Sequence, residues 1–301
     1  MGVSMILTEY QNSLAIRNYQ PNTLYRHVRL ATRFLDSVSN DVSRITTQSI
    51  EVYLYNLLED GKSIKTIKNY LSGIKVFCDF LVGRGHLSEN PVHHIPSMEM
   101  PEEIPVCLSP DEIKLAYSVG KRHDIYCEVA LALNTGLRLQ EMRQLQWPDV
   151  DMERRQLVVR KAKGKRPRNV PINQTLLDAF KCQYVKYHHL LFVFPGGEVG
   201  GHIKGQWNQP TMRGVSWWQK RSVKILQREL PTLRDLPAGR TGRGWHIFRH
   251  TFATQCIKSG IDVVKLRDWM GHRKIETTLR YIHVARHYDS DIEMLNLISA
   301  A

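Results

Sequence analysis

A histidine and an arginine three residues apart, a second histidine and a single tyrosine are the residues of this chain best suited to chemistry. They are His246 and Arg249 in the segment WHIFRHTFAT, His272 after a glycine, and Tyr281. Guanidinium and imidazole groups bind phosphate oxygens. A phenol has a pKa of about 10 and attacks phosphorus only where cations draw off its proton or stabilise the developing charge. The set therefore predicts a tyrosine that attacks a phosphodiester.

Another arginine, Arg138, follows Gly136 after an apolar helical run. The glycine predicts a tight turn into a new helix, and a helix start is a natural anion site. Glu141 lies three residues later on the same helical face, where it either holds the guanidinium or is a surface carboxylate. Taken alone, the signal is weak, since an arginine near a turn is in most cases a solvated surface residue.

The tyrosine and the histidines also have simpler interpretations. Beside Leu279 and Ile282, Tyr281 is compatible with an ordinary core residue. His283 and His287 have a metal-ligand spacing, but no carboxylate or cysteine pattern completes it, so we predict a polar helix surface and no metal site.

Length and composition bound the class of protein. At 301 residues the chain is long enough for two domains, and its formal net charge of +13 is spread along it, which favours a polyanionic partner. Five widely spaced cysteines without a CxxC pair predict reduced thiols. With no signal-peptide pattern and no run of 18 apolar residues, we expect a soluble cytoplasmic protein without a membrane segment.

The first part of the chain has helical periodicity throughout residues 4–82. Helix starts at Pro21, Thr46 and Ser63 predict four helices. The fourth places apolar residues on one side, and a second stripe carries the DNA-binding candidates Lys65, Lys68 and Lys75. These lysines either grip phosphates or are solvated on a surface helix.

A proline-rich stretch separates two predicted domains. Five of the 13 prolines lie between residues 87 and 110, which forbids a continuous helix and favours an extended tether. Ser109 then restarts a helix as its N-cap. We predict an N-terminal helical domain over residues 1–86, a linker over 87–106, a second domain over 107–288, and a tail helix over 289–301.

The second domain is predicted to be mainly helical with one β-hairpin. Residues 156–160 and 169–172 read as short strands joined by a strongly basic turn. A turn this charged is predicted to face away from the protein. Residues 196–244 are predicted to hold one helix near 216–228, and this stretch either contacts DNA, covers the site or meets another subunit. The turn supplies further DNA-binding candidates, Lys161, Lys163, Lys165, Arg166 and Arg168.

Six motif residues thus follow one another along the chain: Arg138, Lys163, His246, Arg249, His272 and Tyr281, with Glu141 beside the first. In order and spacing they resemble the tyrosine recombinase (phage integrase) family over about residues 106–290, and the N-terminal helices resemble the core-binding domain of its shorter, Xer-like members. The resemblance implies a mainly α fold. It comprises a four-helix core-binding (SAM-like) domain and a helical catalytic domain with a small antiparallel sheet, in a C-shaped clamp.

The resemblance also implies a site-specific DNA recombinase that uses no cofactor. Tyr281 would form a 3′-phosphotyrosyl bond on the way to a Holliday junction, and Arg138 and Arg249 would neutralise the transition state. Lys163 would protonate the leaving 5′ oxygen, with Lys165 as the alternative in the same turn. His246 would assist proton transfer at the tyrosine, and His272 would bond a non-bridging oxygen.

The partners implied by the resemblance are double-stranded DNA with paired inverted-repeat core sites and further copies of the chain in a tetramer. We expect a nucleoid-associated enzyme that serves a mobile element or replicon resolution, through integration, excision or resolution. The apolar tail over residues 289–301 is expected to dock on the next protomer, the alternative being its own domain. The helical pattern begins near residue 4, so we expect no additional arm-binding domain.

Two rival functions use similar residues. A type IB topoisomerase-like enzyme would relax supercoils as a monomer, without paired sites. A non-catalytic, sequence-specific DNA-binding protein on the same fold would tolerate loss of any catalytic residue, yet all six are present in this chain.

Overall fold

The computed structural model describes residues 2–99, 104–160, 167–194, 212–236 and 244–285. The chain forms two compact units, over residues 1–102 and 103–301. Both are mainly helical, as predicted. Within the described ranges, no helix is long and apolar enough to cross a membrane.

The N-terminal unit contains the four predicted helices. Pro21 is the first residue of its helix, and the hydroxyls of Thr46 and Ser63 accept from backbone N–H groups three residues on. These contacts satisfy N–H groups that the first turn leaves without partners, which is why the helices begin there. The helices are α1 (Val3–Ile16), α2 (Pro21–Ser37), α3 (Thr47–Glu59) and α4 (Ile64–Gly83).

An apolar core joins the four helices. Tyr10 from α1 and Phe34 from α2 are fully buried against Ile74 and Phe77 of α4. The predicted apolar side of α4 is buried along most of its length, whereas Ile64 is 42% exposed because it lies at the helix start. The periodicity of the sequence therefore predicts the inward face well, except at its first residue.

Residues 87–98 differ from the extended tether that the prolines favour. Pro91–His94 forms a 3₁₀ turn in which Val92 is buried in the N-terminal core. The Asn90 side chain donates to a carboxylate oxygen of Asp79 at 2.6 Å, and the Thr47 hydroxyl donates to the Pro91 carbonyl. Proline excludes a long α-helix but fits the first turn of a short one, so this stretch packs onto the unit.

The C-terminal unit has one large apolar core and a smaller cluster among its last three helices. Ser109 caps the first helix in the predicted capping box with Glu112. The helices are α5 (Pro110–Arg122), α6 (Tyr126–Thr135), α7 (Leu139–Arg143), α8 (Gln174–Tyr187), α9 (Met212–Glu229), α10 (Pro231–Arg234), α11 (Gly244–Lys258), α12 (Val263–Met270) and α13 (Glu276–Ala285).

A three-stranded antiparallel sheet completes this unit. Its strands are β1 (Val150–Asp151), β2 (Gln156–Val159) and β3 (Arg168–Pro171). The predicted hairpin is confirmed, and β1 is an addition that is too short for periodicity to reveal. Arg168 lies in β3 opposite Val159, whereas the sequence placed it in the turn. Residues 161–166 of that turn lie outside the described ranges.

Candidate active site

The turn between α6 and α7 positions the first candidate arginine. Gly136 ends α6 in the left-handed region, with φ of 58°, and a Cβ there would lie 2.4 Å from Cδ1 of Phe252. Only glycine fits this turn without displacing the phenylalanine ring. Arg138 is the N-cap of α7, and its Nη1 and Nη2 donate to the carbonyls of Met270 and Gly271 at 3.2 and 3.1 Å.

The second candidate arginine approaches the same carbonyls from α11. Arg249 is only 4% exposed, and its Nη2 donates to the Met270 carbonyl at 2.7 Å. Its Nη1 donates to the Gly136 carbonyl. Burial, followed by the charge of Arg138, lowers the pKa of Arg249 to about 9. The guanidinium therefore remains protonated at neutral pH.

The end of α12 supplies acceptors that allow the two cations to lie close together. The last carbonyls of a helix have no partners within it and carry partial negative charge. Gly271 ends α12 with φ of 61°, and the Met270 carbonyl next to it accepts from both Arg138 and Arg249. These hydrogen bonds hold both guanidiniums in place.

His272 is oriented by partners on both of its ring nitrogens. Its Nε2 lies 2.9 Å from Nη2 of Arg249, and a guanidinium can only donate, so Nε2 is the acceptor. The proton is then on Nδ1, which donates to the Thr278 hydroxyl at 2.8 Å. To donate from Nε2 to a phosphate oxygen, as the resemblance implies, His272 must carry a proton on Nε2 in place of the present contact with Arg249.

Glu141 joins two arginines beneath this site. Its carboxylate accepts from Nη1 and Nη2 of Arg168 at 2.9 and 2.8 Å, and from Nη1 and the backbone N–H of Arg138 at 3.1 and 2.7 Å. Burial alone would raise the pKa of Glu141, but the hydrogen bonds and charge of Arg168, with those of Arg138, lower it to about 2. The carboxylate is therefore ionised at neutral pH and holds Arg138 in place.

Arg168 occupies a different environment from the one expected of a DNA-binding candidate in an exposed turn. Its side chain is 11% exposed and makes the paired contacts with Glu141, while its Nε donates to the Trp269 carbonyl at 2.7 Å. One signal in the sequence could have indicated this, because Arg168 lies two residues before the fully buried Val170 and therefore shares its face of the strand. The structure gives Arg168 a supporting position under Arg138.

Tyr281 lies beside this cluster. It is 2% exposed, and its ring is nearly parallel to that of His272, with centroids 6.3 Å apart. Burial raises the pKa of Tyr281, and the charges of Arg249 and Arg280 offset part of the effect. The structure thus brings together four predicted site residues that are distant in sequence, namely Arg138, Arg249, His272 and Tyr281.

A histidine for which the sequence predicts no role contacts the tyrosine hydroxyl. Nδ1 of His250 lies 2.8 Å from Oη of Tyr281. His246, the histidine expected to assist the tyrosine, is exposed one turn earlier on α11. The four-residue spacing of the two histidines, which places them on one helical face, is the signal that could have pointed to His250.

The basic residues predicted to bind DNA have varied positions. Lys65 is exposed, Lys68 donates from Nζ to the Met98 carbonyl, and Nζ of Lys75 lies 3.3 Å from Oδ2 of Asp79. The other candidates, in the hairpin turn, lie outside the described ranges: Lys161, Lys163, Lys165 and Arg166.

A groove between α2 and α4 contains cations that the sequence analysis did not single out. Arg26, Arg29 and Arg33 recur at steps of three and four residues along α2, so they line one face, and all three are exposed. Polar residues of α4 form the opposite wall, including Thr66 and Asn69. We call this surface the α2–α4 groove. The spacing of its arginines was visible in the sequence.

Comparison with known proteins identifies the family. The phage integrase family matches residues 107–287, and the phage integrase N-terminal SAM-like domain matches residues 6–86. The chain is 25% identical over 300 residues to "Tyrosine recombinase XerA" of Pyrococcus horikoshii, with 98% of this chain and 95% of the relative covered.

Solved structures share the fold. The Tn1549 transposon integrase in complex with transposon right end DNA is 20% identical and has a TM-score of 0.70, with 100% of both chains covered. A lambda integrase tetramer bound to a Holliday junction is 15% identical with a TM-score of 0.68, covering 93% of this chain and 77% of that one. The two family matches cover one unit each, and the two solved structures align with both units. The chain therefore belongs to the phage integrase family and is a tyrosine recombinase, a site-specific DNA recombinase.

Proposed function

We propose that this recombinase cleaves DNA by attack of Tyr281 on the scissile phosphate. The observation that carries the proposal is the convergence of Arg138 and Arg249 on the Met270 carbonyl, with Tyr281 and His272 adjacent. Attack by the phenol oxygen forms a 3′-phosphotyrosyl bond and releases a 5′ hydroxyl. That hydroxyl then attacks the phosphotyrosyl bond of the partner duplex, which leads through a Holliday junction to exchanged strands.

The two arginines stabilise the pentacoordinate transition state. Among the described residues each guanidinium donates to three acceptors, and a guanidinium carries five N–H groups. Two N–H groups of Arg138 and two of Arg249 therefore remain for phosphate oxygens. Because the existing bonds hold both groups in place, little reorganisation is needed when negative charge develops. A lysine provides a point charge and cannot reproduce these paired bonds.

Three further residues are assigned to proton transfer and charge stabilisation. Lys163 protonates the leaving 5′ oxygen, with Lys165 as the alternative in the same turn, and both lie outside the described ranges. His246 assists proton transfer at the tyrosine. His272 donates from Nε2 to a non-bridging oxygen, either as the imidazolium or as the neutral tautomer in which Nδ1 accepts from the Thr278 hydroxyl.

The direct test is the Tyr281→Phe variant on a nicked duplex from which the cleaved fragment diffuses away. We expect no covalent protein–DNA adduct from this variant, because the ring remains and only the attacking oxygen is lost. Tyr288→Phe is the matched control and is expected to form adducts at the wild-type rate. A persisting adduct in Tyr281→Phe would overturn the assignment.

DNA binding is assigned to both units. The α2–α4 groove presents three exposed arginines to phosphates, and the hairpin cations Lys161, Lys165 and Arg166 provide a second contact region. Lys65, exposed at the start of α4, extends the basic surface of the N-terminal unit. The net charge of +13 also favours binding to a polyanion such as DNA.

We propose that the complete reaction takes place in a tetramer on double-stranded DNA with paired inverted-repeat core sites. The lambda integrase tetramer on a Holliday junction supports this assembly by similarity of fold. The apolar tail, residues 289–301, lies outside the described ranges and is assigned to docking on the next protomer. Truncation after residue 288 is expected to abolish cooperative assembly on DNA, and assembly that persists would contradict docking between protomers.

The proposed biological role is service to a mobile element or resolution of replicons by a nucleoid-associated enzyme. Recombination of a plasmid with two sites, compared with a plasmid with one, tests this against a type IB topoisomerase-like activity. We expect product only with paired sites. Relaxation of a one-site supercoiled plasmid at the same rate would favour the topoisomerase.

A further inference from the structure

The hydroxyl of Tyr281 has one hydrogen-bond partner within the described residues, Nδ1 of His250 at 2.8 Å. The tyrosine is 2% exposed, so solvent does not readily replace that partner. A buried hydroxyl that donates to nothing is costly. The proton of the phenol is therefore accepted by His250.

This contact fixes the protonation state of the imidazole. For Nδ1 to accept, it must be the unprotonated nitrogen, so the ring proton of neutral His250 is on Nε2. The opposite tautomer would leave the Tyr281 proton without an acceptor. Imidazole is also a side chain that takes up and releases protons in general acid–base catalysis. His250 thus places an unprotonated ring nitrogen, which can take up a proton, at the Tyr281 hydroxyl.

A second tyrosine–histidine pair in the same chain provides a comparison. In the N-terminal core, Oη of Tyr10 lies 3.5 Å from Nδ1 of His27, a distance at which a hydrogen bond is weak. Tyr10 is fully buried among aromatic rings. The pair at Tyr281 is 0.7 Å shorter, the difference between 3.5 and 2.8 Å, and His250 directly follows a phosphate-binding arginine on α11.

We propose that His250 is a catalytic residue that accepts the proton of Tyr281 during DNA cleavage. This inference rests on the proposed function. In the step, the phenol O–H bond breaks and its proton moves to Nδ1 of His250, while the Oη–P bond forms. The P–O5′ bond breaks, and the 5′ oxygen takes a proton from the general acid assigned to the leaving group. In the ligation step both protons return.

The surroundings of His250 are consistent with this role. Burial, followed by the charges of His246, Arg280 and Arg249, lowers the pKa of His250 to about 4, so the ring is neutral before DNA binds. A bound phosphate brings negative charge next to these cations and favours the imidazolium that proton transfer creates. His246 is exposed one turn earlier on α11 and acts on His250 through its charge, which is one of those that bound phosphate would offset.

The test compares two substitutions by single-turnover cleavage of the nicked duplex. His250→Asn retains an amide that can occupy the Nδ1 position and accept from the phenol, but it lacks basicity. We expect its cleavage rate to fall by about 100-fold, within the range for loss of a general base, with DNA affinity unchanged. The cleavage rate of His250→Ala should fall by a similar factor, and imidazole added to the solution should partly restore that rate. A cleavage rate for His250→Asn within about threefold of wild type would overturn the proposal.

A substrate with sulfur in place of the bridging 5′ oxygen locates the proton transfer. A thiolate leaves without protonation, so the substrate should restore cleavage by Lys163→Ala and should not restore His250→Asn. Recovery of His250→Asn on this substrate would assign His250 to the leaving group and contradict the proposal. Tyr281→Phe distinguishes failure of the proposed function from failure of this inference. Adducts formed by Tyr281→Phe would overturn the proposed function itself, whereas wild-type cleavage by His250→Asn would overturn only the role of His250. Thermal denaturation of each variant checks that it is folded.

Discussion

Each unit of this recombinase contains a group of three arginines, and the two groups differ in exposure and in the number of elements that supply them. Arg26, Arg29 and Arg33 lie on one face of a single helix and are exposed. The catalytic unit draws Arg138, Arg168 and Arg249 from three separate elements and turns them inward onto one carboxylate and four carbonyls.

This difference predicts how each set responds to substitution. Exposed cations that contact phosphates act independently, and each contributes modestly to affinity. Cations that share acceptors are coupled, so removal of one leaves polar groups of the others without compensation. The groove should lose affinity in small, additive steps, and the catalytic set should lose rate and stability in large, non-additive ones.

The largest effect is expected from Arg249. Arg249→Ala removes a cation that we propose stabilises the transition state, and it leaves the Met270 and Gly136 carbonyls without this donor. We expect cleavage to fall by at least about 1000-fold, and Arg249→Lys to recover little of it because lysine lacks the planar fork. Single-turnover adduct formation measures the rate. A lysine variant within about tenfold of wild type would contradict the role given to paired hydrogen bonds.

The next effect concerns stability and its dependence on pH. Glu141→Gln removes the charge that Arg168 and Arg138 share, and we expect the free energy of unfolding to fall by about 3 to 5 kcal/mol at neutral pH. The pKa of Glu141 is about 2 in the folded protein, whereas an unperturbed glutamate carboxyl group has a pKa of 4.5. Its stabilisation is therefore complete above about pH 4.5 and is lost as the pH falls toward about 2.

Denaturant unfolding of wild type and Glu141→Gln across that pH range checks the prediction. The difference between the two proteins should shrink as the pH is lowered. A difference that stays constant down to about pH 3 would mean that ionised Glu141 does not hold the arginines.

Arg168→Lys is expected to have a smaller effect on catalysis. A single ammonium cannot satisfy both carboxylate oxygens and the Trp269 carbonyl, so Arg138 should lose part of its alignment. We expect cleavage at saturating DNA to fall by about tenfold, with unchanged affinity. Arg154→Lys, in a pair that is exposed to solvent, is the matched control and should have the wild-type rate. Loss of affinity alone in Arg168→Lys would favour the DNA contact expected from the sequence.

The smallest effects are expected in the α2–α4 groove. Alanine at Arg29 or Arg33 should weaken DNA binding several-fold and reduce the salt dependence of log K by about one for each contact removed, without changing cleavage at saturation. Lys75→Ala should change little, since its Nζ already lies between Asp79 and His93. Binding titrations at several salt concentrations measure both quantities. A larger effect of Lys75 than of Arg29 would reverse the assignment of the surface.

Sequence reasoning predicts much of this molecule where local chemistry decides the structure. Caps at Thr46, Ser63 and Ser109 and the periodicity of α4 locate the helices, since these signals lie within a few residues. The glycine turns at Gly136 and Gly271 likewise follow from local backbone requirements.

The parts that could not be predicted depend on contacts between distant segments. Arg168 pairs with Glu141 across 27 residues, and His250 meets Tyr281 across 31. Neither spacing follows a helical or strand period, so these contacts become visible only in the folded unit, where the Arg168 side chain reaches α7 and α11 packs on α13. The short strand β1 could not be predicted for a different reason, because two residues are too few to show a periodic pattern.

The measurement that tests the central claim most directly is identification of the residue that becomes linked to DNA. After cleavage of the nicked duplex, the trapped adduct is digested with trypsin and the DNA-bearing peptide is identified by mass. Tyr281 falls in the tryptic peptide of residues 281–286, and Tyr288 falls in the peptide of residues 287–301. We predict that the nucleotide remnant is on residues 281–286, at Tyr281. A remnant on residues 287–301 would contradict the account.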